Sequence, residues 1–359
     1  MPSLPEPIRH VRFRHFRGED DYPGMVGVLD ATKRADGIDR SDTVEGMRNY
    51  YSNLTNCDPL TDILIAETDE GIAGYSRVTW WIEEATNVKA LLHVGWVIPE
   101  VRGIGVGTAM LRWCEGRLRE MVADKPHDGP TTLQSFYDEG ETARRAVLEA
   151  EGYSPTETYA EMTRSLSEPI PDLPLPEGIE IRPMTAADAP VVWAADKEAF
   201  RDHVGYSEPS EADYREFIGS PNFDPSLWKV AFDGDTIAGQ VLNYVDRHGN
   251  EEFGRQRGYT ESISVQRPWR GKGVARSLIA ESMRMFREMG MTEVALGVHT
   301  TNPTGAFRLY EGLGYRVVSR SHEVRKPFGM SRYPFPVTGY PEEQTSRATG
   351  NGQRVTGDG

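Results

Sequence analysis

A weak internal repeat constrains the fold of this 359-residue chain more than any other feature. Three short segments of the first half recur in the second half in the same order, at spacings of 165, 168 and 162 residues. In chain order, the matching pairs are 66–74 with 231–239, 102–107 with 270–275, and 151–153 with 313–315. Because three ordered matches at a nearly constant spacing are rarely accidental, the sequence predicts a duplication. The length also fits two domains better than one core.

A proline-rich segment separates the two halves. Residues 167–178 contain four prolines and interrupt any periodic pattern, as a semi-rigid linker does. We therefore predict an N-terminal domain over 1–166 and a C-terminal domain over 179–333. Residues 334–359 are rich in Pro, Gly, Thr and Ser without periodicity, which predicts a flexible tail.

Strand-like and helix-like patterns alternate within each half. A hairpin pattern with an acidic turn is followed by a strand, a glycine turn and an amphipathic helix. Apolar side chains recur at helical spacing over 106–118 in the first half and over 274–286 in the second. The predicted class is α/β of the mixed α+β kind, with a twisted mixed sheet flanked by helices in each half.

Charge and composition exclude several functions. The 40 basic side chains against 55 acidic ones give a net charge of −15, which repels nucleic acid and anionic membrane surfaces. We find no signal peptide and no membrane span, and the two cysteines, Cys57 and Cys114, do not make a disulfide framework. These features predict a cytoplasmic protein. No spacing of Cys and His suits zinc, so we expect no metal site.

The strongest chemical signal is the glycine turn between a strand and a helix. In the second half this turn is Arg270-Gly-Lys-Gly-Val-Ala275. Such a turn aims free backbone N–H groups and the positive end of a helix at one point, where a phosphate or pyrophosphate binds. The dinucleotide fingerprint is excluded because Arg276 stands where its third glycine would be. The P-loop is excluded because Lys272 is followed by Gly273 rather than by Ser or Thr. No Gly-x-Ser-x-Gly elbow is present for a serine hydrolase.

Both turns resemble the signature of the GNAT superfamily of acetyl-CoA-dependent N-acyltransferases, which is Arg or Gln-x-x-Gly-x-Gly or Ala. Residues 102–107 and 270–275 match it in full, and 302–315 resemble the closing segment of the family. The resemblance covers about 8–165 and 179–328. It implies two tandem GNAT modules in one chain, with acetyl-CoA as the co-substrate.

The resemblance also implies which residues bind acetyl-CoA. In the second half, the strand, turn and closing segment supply Ile263, Ser264, Val265, Arg270, Gly271, Lys272, Gly273, Val274, Ala275 and Asn302. The corresponding residues of the first half are Val97, Arg102, Gly103, Gly105 and Gly107. Backbone groups are expected to carry most of this binding, to the pantetheine arm on the strand and to the pyrophosphate at the turn.

Acetyl transfer to an amine needs a base on one side of the thioester and an acid on the other. Tyr310 resembles the tyrosine acid of the family, and Glu261 resembles its base, acting directly or through water. At the repeat spacings, Tyr310 maps to Leu148 and Glu261 maps to His93. Because leucine cannot donate a proton, the N-terminal domain is predicted to be catalytically degenerate, while it could still hold acetyl-CoA.

The predicted function is acetyl transfer from acetyl-CoA to a primary amine of a small molecule, by direct attack, in the C-terminal domain. The net negative charge would suit a cationic acceptor. Segments 200–225 and 246–258 are expected to build the acceptor pocket. Two alternatives stay open: a protein N-terminal or lysine acetyltransferase, and a non-catalytic acyl-CoA-binding regulatory protein. Because a duplication can replace a homodimer, a monomer is favoured.

Overall fold

The computed structural model describes residues 2–202, 206–301 and 305–329. The predicted tail, 334–359, lies outside these ranges. The described strands are β1 Arg12–His15, β2 Ile63–Thr68, β3 Gly71–Glu83, β4 Val88–Val97, β5 Thr131–Asp138, β6 Ser154–Ser165, β7 Ile179–Arg182, β8 Lys229–Asp233, β9 Thr236–Tyr244, β10 Arg257–Val265, β11 Glu293–His299 and β12 Arg316–Pro327. The described α-helices are α1 Tyr22–Asp36, α2 Val44–Ser52, α3 Pro59–Asp62, α4 Val106–Met121, α5 Thr142–Ala150, α6 Ala189–Phe200, α7 Glu211–Ile218, α8 Arg247–Glu252, α9 Val274–Glu288 and α10 Ala306–Gly312.

All twelve strands belong to one mixed sheet. Their order is β1-β2-β3-β4-β5-β12-β6-β11-β10-β9-β8-β7, and within each half most neighbours are antiparallel. The parallel pairs are β4 with β5 in the first half and β10 with β11 in the second. This repeated mixed sheet with flanking helices confirms the predicted α/β class.

The last strand of each half lies beside a strand of the other half. β6 pairs antiparallel with β11, and β12 pairs antiparallel with both β5 and β6. The sheet therefore continues across the two halves, and each half is completed by a strand that the other half contributes. The proline-rich segment divides the chain by sequence, while these two strands join its halves in space.

The two predicted amphipathic helices cover the sheet with their apolar sides. In the first half, α4 packs on β3 and β4, and its buried side chains include Met110, Cys114 and Leu118. In the second half, α9 packs on β8, β9 and β10, and Met283 and Phe286 are fully buried. Both apolar patterns are thus confirmed as core, and the thiol of Cys114 is a packing group.

Two equivalent glycines let neighbouring strands approach closely beside the glycine turns. A Cβ at Gly74 would lie 2.8 Å from the Trp96 carbonyl oxygen, and one at Gly239 would lie 2.9 Å from the Ser264 carbonyl oxygen. We expect Gly74→Ala and Gly239→Ala each to lower the free energy of unfolding by about 1–3 kcal/mol, because the backbone must move apart. Chemical denaturation measures this. The control Gly312→Ala, in open space at a helix end, should not destabilise.

Candidate active site

Both glycine turns have the backbone that only glycine adopts at little cost. Gly271 and Gly273 have φ of +74° and +90°, and Gly103 and Gly105 have φ of +74° and +103°. The second glycine of each turn is the N-cap of the long helix that follows, α9 or α4. The backbone N–H groups of each turn therefore stand at the positive end of a helix.

The arginine that opens each turn holds the turn in place. Nε of Arg270 donates to the carbonyl oxygen of Val265 at 3.0 Å, and Nε of Arg102 donates to that of Val97 at 3.0 Å. The second turn is also tied to the end of α6, since Arg270 pairs with Asp202 at 2.8 Å. Both signature arginines thus have protein partners, and they hold their turns in place.

The first turn is tied down in the same way. Both terminal nitrogens of the Arg102 guanidinium bind the Asp36 carboxylate at the end of α1, at 2.7 and 2.8 Å. In the second turn, Lys272 is exposed and so is Arg276 at the start of α9. Beside the second turn, Lys272 and Arg276 are therefore exposed positive charges, whereas both signature arginines are paired with carboxylates.

Strands β10 and β11 separate at the centre of the second half. Their parallel pairing covers only Arg257–Tyr259 with Glu293–Ala295. Beyond this point the register between β10 and β9 shifts, and Ser262 has a φ of +45°. This is a β-bulge, which adds one residue to β10 and leaves backbone groups unpaired. The predicted cofactor strand 263–265 follows directly, so the wedge between β10 and β11 leads to the glycine turn.

Glu261 lies in this wedge, at the bulge. It is half-buried, and its Oε1 accepts a hydrogen bond from the Gly297 N–H of β11 at 3.0 Å. Burial raises the pKa of Glu261 to about 7, with a smaller contribution from the charge of Glu161 and against the hydrogen bond from Gly297. A carboxylate with a pKa near neutrality is well matched to accept a proton at physiological pH.

Tyr310 lies on helix α10, which packs on β11 at one side of this wedge. Its side chain is buried, and its ring lies edge-on to that of Tyr315, with 6.0 Å between the ring centroids. Burial, followed by the charge of Glu261, raises the pKa of Tyr310, which keeps its hydroxyl protonated. The two predicted catalytic side chains are thus close enough to affect each other electrostatically. The third predicted residue of this region, Asn302, lies outside the described residues.

The first half lacks the bulge. Its β3–β4 pairing runs without a register shift from Val88 to Val97. The equivalent tyrosines that follow α5 and α10 show which residue of β4 corresponds to which residue of β10. The Tyr153 hydroxyl contacts Nε2 of His93 at 2.8 Å, whereas the Tyr315 hydroxyl contacts Oγ1 of Thr260 at 3.0 Å. His93 therefore occupies the position of Thr260.

The mapping of Glu261 to His93 by constant spacing is therefore wrong. The bulge inserts one residue into β10, so the strand partners place Val94 at the position of Glu261. Burial lowers the pKa of His93 to about 3, so this imidazole is neutral and a poor base. Val94, which holds this position in the first half, has no group that could accept a proton as predicted for Glu261.

The first half nevertheless has a cavity of about 530 Å³ between β4, the glycine turn and helices α4 and α5. All five cofactor residues predicted for this half line it: Val97, Arg102, Gly103, Gly105 and Gly107. Leu148, which maps to Tyr310, lines it as well. The cavity thus keeps the predicted cofactor surface and has an apolar side chain where the acid would be.

A second cavity, of about 360 Å³, lies where the two halves meet. Both segments predicted to build the acceptor pocket contribute to it, through Glu216, Asn222, Asp246 and His248 among others. The first half supplies the loop that contains Arg40. Part of the predicted acceptor segment, 203–205, lies outside the described residues.

Glu161 and Gly297 are neighbours of Glu261 that the sequence pattern did not indicate. Glu161 lies on the exchanged strand β6, directly opposite Gly297 of β11. Neither belongs to a motif, and the pairing of β6 with β11 is a long-range contact without a local signal. Among the described residues no group of three or more His, Cys, Asp or Glu is placed to hold a metal ion. None of the described helices combines the length and apolar character needed to cross a membrane.

Comparison with known proteins agrees with this geometry. Residues 191–315 match the Acetyltransferase (GNAT) family, and a relative 30% identical over 298 residues spans 82% of this chain and 92% of its own length. The chain belongs to the GNAT family of acetyltransferases and is an acyltransferase enzyme. That relative, from Thermobispora bispora, is named mycothiol acetyltransferase. A protein of the same name from Geodermatophilus obscurus is 29% identical, over 81% of this chain and 89% of its own length.

Solved structures show the same architecture. A GCN5-related N-acetyltransferase from Sphaerobacter thermophilus superposes with a TM-score of 0.67 at 26% identity, covering 90% of this chain and 97% of its own. A tandem GNAT protein from the clavulanic acid biosynthesis pathway superposes with a TM-score of 0.62 at 16% identity, covering 89% and 99%. At that identity the second likeness concerns the fold alone, and it is the tandem fold that the repeat predicts.

Proposed function

We propose that the C-terminal half transfers the acetyl group of acetyl-CoA to a primary amine of a small molecule. One observation carries this proposal: Glu261, with a pKa of about 7, lies at the bulge in the wedge that leads to the glycine turn. Tyr310, still protonated, lies near enough to Glu261 for the charge of that carboxylate to raise its pKa. A base and an acid are therefore available at one thioester site.

The proposed reaction is a direct attack. Glu261 takes a proton from the substrate ammonium, directly or through water, and the freed amine nitrogen forms a bond to the thioester carbonyl carbon. The carbon–sulfur bond then breaks, and Tyr310 gives its proton to the leaving thiolate. The nitrogen loses its second proton as the amide forms, and this proton returns to the Tyr310 oxygen directly or through water. When bound, acetyl-CoA supplies the activated acetyl group, and the turn amides of 270–275 hold its pyrophosphate.

The names of the relatives support a particular acceptor. Both relatives described above are named mycothiol acetyltransferase, so we propose the free amine of deacetylated mycothiol as the first acceptor to test. The free thiols of Cys57 and Cys114 support action in a reducing compartment, which we propose is the cytoplasm, and we propose that the chain acts as a monomer.

A thiol-release assay tests this function. Acetyl-CoA is incubated with the protein and with deacetylated mycothiol, glucosamine, spermidine, kanamycin or a peptide with a free N-terminus. We expect turnover with one small amine and none with the peptide. Turnover with the peptide alone would favour a protein acetyltransferase, and acetyl-CoA binding without any turnover would favour a regulatory binding protein.

We further propose that the first half still binds acetyl-CoA in its 530 Å³ cavity. Calorimetric titration should then give two equivalents per chain. Thr108→Trp, which fills this cavity from the start of α4, should reduce the stoichiometry to one and leave turnover within about threefold. One equivalent for the unmodified chain, unchanged by Thr108→Trp, would make the first half a scaffold.

A further inference from the structure

A row of three residues crosses the sheet at the open side of the wedge. The neighbouring strands β6, β11 and β10 contribute Glu161, Gly297 and Glu261 in that order. Gly297 is the strand partner of Glu161, and its N–H binds the Glu261 carboxylate at 3.0 Å. Residues directly opposite on paired strands project from the same face of a sheet. Glu161 therefore projects from the same face as Gly297, and the Glu261 carboxylate lies on the other side of this glycine, at its N–H.

The glycine leaves room for a ligand between the carboxylates. A Cβ at Gly297 would point toward Glu261, with 3.8 Å to its Oε1, and Gly297 itself is exposed to solvent. Paired strands such as β6 and β11 are about 4.8 Å apart, whereas β10 has separated from β11 at this level, so the backbones of Glu161 and Glu261 lie further apart than two ordinary strand spacings. The two carboxylates are near enough for the charge of Glu161 to raise the pKa of Glu261, and a cation can reach the glycine between them from solvent.

The surroundings of Glu161 keep an excess of negative charge. Its carboxylate accepts from Arg257 at 2.9 Å, but the same guanidinium also binds Asp39 at 2.9 Å and Glu293 at 2.7 Å. Arg255 adds a second cation, paired with Asp39. Three carboxylates thus share two guanidinium groups before Glu261 is counted, so the cluster attracts a cation.

We propose that Glu161 determines the specificity for the acceptor, holding the ammonium of the amine over Gly297 opposite Glu261. This inference rests on the proposed function of the C-terminal half. Glu161, paired with the Arg257 guanidinium, binds the nitrogen as a carboxylate, while Glu261 removes one proton from it, so the neutral amine forms beside the thioester carbonyl. The acceptor class is a primary amine that is protonated in solution and unhindered at nitrogen.

The position of Glu161 makes the proposed acceptor site depend on both halves. Strand β6 belongs to the first half by sequence and is inserted beside β11 of the second. Asp39, which binds Arg257, comes from the first half as well. The second half therefore obtains part of its acceptor site from the first, even though the first lacks a catalytic carboxylate of its own.

The test compares Glu161→Gln with Glu293→Gln in the full chain. Both variants remove one carboxylate from Arg257, but only Glu161 faces Gly297 and Glu261. With deacetylated mycothiol, or the amine of highest turnover in the thiol-release assay, we expect Glu161→Gln to raise KM for the amine about 10–100-fold, as for loss of a charged hydrogen bond. The KM for acetyl-CoA should stay constant in both variants. Glu293→Gln should raise KM for the amine by a clearly smaller factor than Glu161→Gln, because it reduces the charge of the cluster without removing a group that faces Gly297.

The pH dependence gives a readout that a structural role would not produce. Removing the charge of Glu161 lowers the pKa of Glu261, so the ascending limb of kcat/KM for Glu161→Gln should move to lower pH. Glu161→Asp keeps the charge and should keep the limb near its original position. Gly297→Val, which fills the gap, should raise KM for the amine and leave calorimetric binding of acetyl-CoA intact.

Three results would overturn parts of this scheme separately. If Glu161→Gln leaves both KM for the amine and the pH limb unchanged while Glu261→Gln abolishes turnover, the assignment of Glu161 is wrong and the proposed function stands. If Glu261→Gln also keeps full turnover, the base lies elsewhere. If the unmodified chain releases no thiol with any small amine, the proposed function itself fails.

Discussion

Glu261→Gln is expected to lower kcat by a factor of about 10²–10⁴, the usual contribution of a general base. The amide keeps the size of the side chain and the hydrogen bond from Gly297, but it cannot accept the proton of the ammonium. In the unmodified chain the rate should rise with pH around a midpoint near 7, because burial raises the pKa of Glu261 to that value and the ionised form is the active one. In the variant this ascending limb should disappear. Initial rates of thiol release between pH 5.5 and 9 measure both effects.

A matched control separates catalysis from a general loss of charge. Glu281 lies on helix α9, where it pairs with Arg284 at 2.6 Å. Glu281→Gln makes the same chemical change away from the wedge and should leave kcat within about twofold. Calorimetric titration of Glu261→Gln with acetyl-CoA should show normal binding. If Glu261→Gln keeps kcat within threefold of the unmodified chain, the base lies elsewhere.

Tyr310→Phe should lower kcat by a factor of about 10²–10³ without loss of acetyl-CoA binding. The hydroxyl is protonated at all physiological pH values, since burial raises the pKa of Tyr310 above its ordinary value of 10.0. Without it, the thiolate must leave unprotonated or take its proton from water, whereas the ring still fills its place in the core. Steady-state kinetics and calorimetry on the same preparation separate the two effects.

The neighbouring tyrosine provides the control for this variant. Tyr315 is fully buried, 6.0 Å from Tyr310 between ring centroids, and its hydroxyl contacts Thr260. Tyr315→Phe removes one buried hydroxyl of the same kind and should cost about 1 kcal/mol of stability with little change in kcat. Equal losses of kcat in both variants would indicate that the site is disturbed by repacking and that Tyr310 is not the acid.

Much of the architecture follows from local sequence signals. The repeat spacing and the alternation of strand and helix patterns predict the α/β class, and the apolar spacing over 106–118 and 274–286 predicts the two buried helix faces. Glycine turns are readable because positive φ at positions such as Gly273 favours one residue type whatever the rest of the chain does. The GNAT resemblance rests on those turns, and it names Glu261 and Tyr310 from sequence alone.

Tertiary structure alone decided the features that make the two halves different and dependent on each other. A β-bulge adds one residue to β10, which a constant repeat spacing cannot show. Only the strand partners reveal that Val94 occupies the position in the first half that Glu261 occupies in the second. The exchange of β6 and β12 is a long-range backbone pairing without a local motif. It places Glu161 over Gly297, so part of the proposed acceptor site comes from the half that lacks the base. Local backbone preferences determine the turns and helices, whereas the register and order of distant strands are set only when the whole sheet forms.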